Sequence, residues 1–187
     1  MNSGTRVLIA VVIILFLVMS GLLGGLQWFQ SHSRSDPAEV QAIADTILLI
    51  SLPSELLPVK GADLSEMNGL RLAAFEGTDA RGRKTHFLMT AITSQNFDAS
   101  KEFESGIDWE EDAYELLEKG VKEFLYQGNS VPGYFFRFTN SHGDKRNEFS
   151  AVLDSATGKI ILSLNGPADT VGDEILQGLL KTVSAAP

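Results

Sequence analysis

The chain has 187 residues, 44% of them hydrophobic, no cysteine and a formal net charge of −9. That length suits one ordinary domain with a short appended segment and excludes a large multidomain enzyme. A pI near 4.8 argues against a general nucleic-acid binder, which needs a basic face to displace phosphate counterions. The missing cysteine excludes disulfides, thiolate metal sites, cysteine nucleophiles and a lipidated cysteine anchor.

Residues 1–6 form a short tail with one basic and no acidic side chain. Residues 7–29 read as one transmembrane helix, a signal anchor. Val7 to Leu26 carries no charge over twenty residues, and a helix of that length spans about 30 Å, the thickness of the hydrocarbon core. Trp28 and Phe29 follow, where aromatic rings favour the headgroup layer. Arg6 and the α-amino group place the N-terminus in the cytoplasm and the rest of the chain outside it, in a periplasmic or extracellular space. The competing reading is a cleaved signal peptide, with Val7–Met19 as its apolar core and Val18-Met19-Ser20 at the cut. The apolar stretch runs on through Leu22, Leu23 and Leu26, and no Ala-x-Ala occurs, so the uncleaved anchor is preferred. Ser20, Gly21, Gly24 and Gly25 repeat a small-xxx-small spacing, which makes them a candidate homodimer seam in the bilayer. Residues 30–35, with His32, are a polar linker.

Residues 36–187 read as one exported domain. It holds all 24 acidic residues and 13 of the 15 basic ones. A helix opens it: Asp36 caps, Pro37 suits the first helical position, Glu39 completes a capping box, and Val40, Ile43, Ala44 and Ile47 share a face. Pro53 and Pro58 bracket an extended stretch suited to a sheet edge. Leu70–Phe75 and Lys84–Thr93 predict a β-hairpin around the turn residues 76–83. Residues 94–107 are a polar connection. A second helix is expected from Asp108, with Glu111 in a capping box. Trp109, Ala113, Leu116 and Leu117 would form its apolar face, and Gly120 its stop. Four extended segments follow: Val121–Tyr126, Gly133–Thr139, Asn147–Asp154 and Lys159–Leu164. Hairpin turns join the last three at residues 140–145 and 154–159. Tyr134, Phe136 and Phe138 share one strand face. A final helix is expected over 170–183, capped by Thr170 or Asp173, with Val171, Ile175, Leu176, Leu179 and Leu180 as its stripe.

Strands joined by hairpins predict an α+β domain, an antiparallel β-sheet flanked by helices and preceded by one N-terminal transmembrane helix. A doubly wound parallel sheet would need a crossover helix after nearly every strand. The order of elements from Asp36 to Val183 is similar to the PsbP-like fold, a meandering sheet flanked by helices. That resemblance implies a binding or assembly-factor domain and assigns no residue a role.

The search for chemistry assigns no catalytic residue, no cofactor and no metal site. No nucleophile elbow, zinc-protease helix, dinucleotide loop or calcium loop is present. Residues 154–159 echo a phosphate loop but lack its first glycine and lead into a strand. His86 lies in a strand on the face of Leu88 and Ile92. His142 lies in a turn beside Asp144, and the three histidines show no metal-ligand spacing. Asp108, Glu110, Glu111, Asp112, Glu115 and Glu118 read as a solvated helix face. Arg81, Arg83 and Lys84 are candidate contacts for lipid headgroups or an anionic partner. Trp109, Tyr134 and Phe136 are candidate contacts for a partner or ligand.

The expectation is a single-pass membrane protein whose exported, non-catalytic domain binds a protein partner or assists assembly of an envelope complex. It touches the bilayer through residues 7–29 and binds no nucleic acid. Two alternatives stand beside it: a small-molecule or lipid-like ligand module with an apolar pocket, and a hydrolase using His86 or His142.

Overall fold

The computed structural model describes residues 33–93 and 114–184. The chain divides between Ser33 and Arg34. In chain order the elements are β1 (Ser33–Arg34), α1 (Pro37–Ile47), β2 (Leu57–Leu64), the single turn α2 (Ser65–Asn68), β3 (Leu70–Thr78), β4 (Lys84–Ile92), β5 (Glu115–Tyr126), β6 (Asn129–Thr139), β7 (Lys145–Ser155), β8 (Gly158–Pro167) and α3 (Asp173–Lys181). The described strands form one eight-stranded sheet in the order β1-β2-β3-β4-β8-β7-β6-β5. Two meanders, β2–β4 and β5–β8, meet where β4 pairs antiparallel with β8, from His86↔Asn165 to Ile92↔Lys159. The antiparallel α+β expectation therefore holds for the domain. Among the described residues no helix is long and apolar enough to cross a membrane. The expected span Val7–Leu26, with Ser20, Gly21, Gly24 and Gly25, lies outside them.

Alternation assigns the two faces of the sheet. Ala73, Phe75, Phe87, Met89, Phe149, Ala151, Leu153, Leu162 and Leu164 lie on one face, in a single buried cluster with Val40, Ala44 and Ile47 of α1 and Leu176, Leu179 and Leu180 of α3. Both helices thus cover the same face. Asp36 caps α1 as expected, its Oδ1 accepting from Ala38 N at 2.9 Å and Glu39 N at 3.2 Å. Glu39 does not close a box; its carboxylate lies 3.5 Å from Arg34 Nε. The opposite face carries a second cluster, Phe136, Val152 and Ile161, against which Ile92, Tyr134 and Phe138 pack.

Three expectations need correction. The helix from Asp108 to Gly120 does not extend through 115–120, which belong to β5; its proposed start at 108–113 lies outside the described residues. Leu116 and Leu117 are exposed strand residues, and Gly120 is no helix stop. It pairs with Phe135, and a Cβ on it would meet the Phe135 ring at 2.5 Å. Local helix formers such as Glu115, Leu116, Leu117, Glu118 and Lys119 yield here to pairing with β6 along the length of the strand. The last helix starts at Asp173 behind Gly172, not at Thr170; the Thr170 hydroxyl bonds to the Pro167 carbonyl at 3.1 Å, and Ile175 stands partly exposed outside the stripe. The proline-bearing strand begins only at Leu57, and its register shifts between Pro58 and Lys60, where proline cannot donate to the ladder.

Candidate functional site

Among the described strands β5 stands at one end of the order, with β6 its neighbour. A two-residue turn, Gln127–Gly128, joins them, both residues left-handed at φ 50° and 82° as a type I′ hairpin requires. Tyr126 and Asn129 flank this turn, so their main-chain groups exchange hydrogen bonds and those of Tyr126 point toward β6. The main-chain groups of Leu125 then point outward. The Gln177 side chain on α3 reads them as a strand would: Leu125 N donates to Gln177 Oε1 at 2.8 Å, and Gln177 Nε2 donates to the Leu125 carbonyl at 2.8 Å. Alternation sends the N–H and C=O of Lys119, Val121 and Glu123 outward as well. Lys122 is bound to Asp173 at the start of α3, a hydrogen bond that holds the Asp173 carboxyl below its ordinary range. The hairpin is packed by two glycine–aromatic pairs, Gly120 under Phe135 and Gly133 under Phe124. Along this pinned edge Val121 is 71% exposed, Leu125 59% and Leu117 55%. Native sheets ordinarily blunt a long edge strand; an apolar one is a template for another strand.

Two turns of the same design stand at one end of the sheet. In the first, Asp79 Oδ1 accepts from Arg81 N at 2.8 Å and Arg83 N at 2.9 Å. In the second, Asn140 Oδ1 accepts from His142 N at 3.0 Å and Asp144 N at 2.9 Å. Each has a left-handed glycine in its fourth place, Gly82 or Gly143. His142 is therefore placed by its backbone, as a turn residue. Arg83 bonds to Asp79 through Nε at 2.8 Å and to Asp169 through Nη1 at 2.8 Å. The Arg83 backbone N–H holds the Asp79 carboxyl low, the Arg83 guanidinium does the same for Asp169, and Asp169 in turn raises Arg83. Arg81 lies 3.4 Å from Asp169, and Lys84 3.4 Å from Glu76. The three expected anion contacts thus each face a carboxylate of the fold. A cleft of about 380 Å3 between the turns is lined by Arg83, Lys84, Tyr114, Asp144, Lys145 and Arg146.

A polar row crosses the second face of the sheet. Cross-strand register sets Glu76 beside His86, His86 beside Asn165, Asn165 beside Glu148 and Glu148 beside Phe136. His86 Nδ1 is 3.7 Å from Glu76 Oε2. Arg146 donates twice to Asn165 Oδ1, at 2.9 and 2.7 Å. Glu148, Ser150, Ser163 and Asn165 are all buried. The hydrolase alternative asks for a cleft that holds His86 or His142 beside an acidic or serine side chain. His86 does lie beside Glu76, but neither histidine is among the residues lining the clefts of about 380 and 410 Å3, and the buried Ser150 and Ser163 of the neighbouring rung bond to each other at 2.7 Å. Among the described residues no group of three or more acidic or histidine side chains is placed to hold a metal ion.

Of the contacts expected from sequence, Tyr134 and Phe136 share the second face as predicted, with Phe136 buried and stacked on Phe138 at 6.2 Å. Trp109 lies outside the described residues. Neither Tyr134 nor Phe136 lines the second cleft, about 410 Å3 between the end of α1 and the β7–β8 turn, whose walls include Arg71, Tyr126, Leu153, Lys159 and Ile160. Sequence reasoning missed Val121, Leu125 and Gln177. Their signal was the alternation from Lys119 to Leu125, masked by the helix expected just before it. It also missed the shared turn pattern, Asp or Asn three places before glycine. No protein-family model matches the chain, and no curated protein matches it.

Proposed function

We propose that this is a single-pass membrane protein, anchored by Val7–Leu26, whose exported domain is a non-catalytic interaction module that receives an extended protein strand along β5. The observation that carries this reading is the edge itself: outward main-chain donors and acceptors at Val121 and Glu123, flanked by exposed apolar side chains and braced from behind by Gln177 and Asp173. Strand addition draws affinity from main-chain hydrogen bonds and specificity from alternate side chains. A binding or assembly role also agrees with the PsbP-like order of elements.

Val121→Pro tests the docking edge. Proline removes an N–H that the β5–β6 ladder does not use, so the fold should survive while strand addition is blocked. The native membrane complex should shrink on a blue-native gel with the far-ultraviolet circular dichroism unchanged; an unaltered complex would refute the reading. Anchoring is tested by single cysteines in a chain that has none. A membrane-impermeant maleimide should label Ser35→Cys from outside intact cells and leave Ser3→Cys untouched. The reverse pattern, or a mature chain lacking residues 7–26, would overturn the topology.

A further inference from the structure

We infer that the cleft between the end of α1 and the β7–β8 turn binds a small monocarboxylate, its charged end on the Arg71 guanidinium and its short aliphatic body on the apolar wall. This inference does not rest on β5 as a docking edge. Alternation puts the half-buried Arg71 on the same face of β3 as Ala73 and Phe75, the face that the helices cover. Its rung continues through Ala91, Ile160 and Leu153, all three in the core cluster. A charged side chain at a core-facing position ordinarily has a counter-ion. Arg34, Arg81, Arg83 and Arg137 each pair with a carboxylate; among the described residues none pairs with Arg71. Asp63 stands opposite Arg71 in the register but accepts from Ser65 N at 3.0 Å. One corner of the guanidinium is pinned, where Nη1 donates to the Thr46 carbonyl in the last turn of α1 at 3.0 Å. Nε is buried and has no hydrogen-bond partner. Nη2 shares with Nε the edge that this bond leaves free, and such an edge matches the two oxygens of a carboxylate. Arg71 lines a cleft of about 410 Å3 whose apolar wall is Ile47, Leu48, Ala91, Leu153 and Ile160, a volume in the lower range of small-ligand sites. Lys159 also lines it but is bound to Asp154. One uncompensated cation suits a monoanion, and Asp154 disfavours a phosphate dianion. The apolar wall favours a ligand with a hydrocarbon body.

Arginine side-chain NMR of the full-length chain in phosphatidylcholine nanodiscs reads this site, with hexanoate as the probe. Hexanoate should shift the Arg71 Nε–H resonance saturably, together with the amides of Ala156 and Thr157 in the β7–β8 turn. Hexanol lacks the charge and inorganic phosphate lacks the hydrocarbon; each should bind roughly tenfold more weakly than hexanoate or less well still. Arg71→Lys keeps the charge and loses the fork, and should weaken hexanoate roughly tenfold. Ala156→Glu leaves Arg71 and its Thr46 bond in place. Its new carboxylate, in an exposed turn that lines the cleft, should weaken hexanoate, whereas Ala156→Gln should not. That pair keeps the test decisive if Arg71→Lys fails to fold. Val121→Pro should bind hexanoate as the parent does, so the cleft and the docking edge stand or fall separately. Phosphate binding as tightly as hexanoate would show an anion site without an apolar component, and hexanol doing so would show an apolar cleft that ignores Arg71; either overturns the inference. So would the absence of a saturable shift at Arg71, or hexanoate affinity unchanged in Ala156→Glu.

Discussion

Gly133→Ala should destabilise the domain although alanine suits a strand better than glycine does. A Cβ at Gly133 would lie 2.4 and 2.5 Å from Phe124 ring carbons and 2.5 Å from the Ser150 carbonyl oxygen. Phe124 is buried, and Ser150 belongs to β7, next to β6 in the ladder. Neither neighbour can swing aside, because one is locked in the core and the other is backbone. Overpacking of this kind costs about 1–3 kcal/mol, and relief from glycine's unfolded-state entropy returns about 0.5–1, which leaves a net loss of about 1–2 kcal/mol. That corresponds to a fall in Tm of about 2–8 °C. Gly178→Ala is the opposing control. Gly178 lies inside α3 with nothing within 4 Å of its added Cβ, so alanine should stabilise by about 0.5–1 kcal/mol. Thermal unfolding of the full chain followed by circular dichroism measures both. A Gly133→Ala variant as stable as the parent would refute the packing that braces β5 against β6.

Three further outcomes follow from the geometry. Asp79 and Asp169 ionise below their ordinary range in the fold through Arg83. Their contribution is complete above the unfolded carboxyl value of about 3.9 and is lost as pH falls below it through the folded values; the protection of the Arg81 and Arg83 amides relative to their intrinsic exchange rates should therefore fall below about pH 4, and Asp169→Asn should differ from the parent above that pH but not far beneath it. Ser150→Ala strands the buried Ser163 hydroxyl and should cost about 1–3 kcal/mol, most of which the double Ser150→Ala, Ser163→Ala variant should regain; additive losses in urea unfolding would contradict the pair. Gln177→Leu removes both bonds to Leu125 and should speed exchange of the Leu125 amide while leaving Phe124 slow, an outcome mass spectrometry after deuterium labelling can check.

The hairpins were legible from sequence because their chemistry is local. Alternation over Lys84–Ile92 and turn residues at 79–83 and 140–144 need no tertiary information. Asp36 was legible for the same reason, as a cap bonding to its own helix. The β5 edge was not, because its identity depends on a partner strand. Glu115 to Lys119 favour a helix in isolation, and only pairing with β6 makes them a strand. Gly120 looked like a helix stop and Gly133 like the start of a strand; each is a glycine inside a strand that leaves room for a phenylalanine ring contributed by the other strand of the hairpin. Arg81, Arg83 and Lys84 were visible as a basic cluster, but Asp169 is 86 residues from Arg83, and no local pattern joins them. His86 was correctly placed with Leu88 and Ile92, yet its Glu76 and Asn165 neighbours come from β3 and β8.

If the chain is anchored and assembled as proposed, amide exchange along β5 in that state tests the docking edge most directly. The inward amides of Lys122 and Phe124 should be protected by β6 under all conditions. The outward amides of Val121 and Glu123 should be protected to a similar degree in the native membrane, and should become fast when Val121→Arg blocks the edge by charge and bulk. Val121 and Glu123 exchanging freely in the native membrane, while Phe124 stays protected, would show an empty edge and contradict the account.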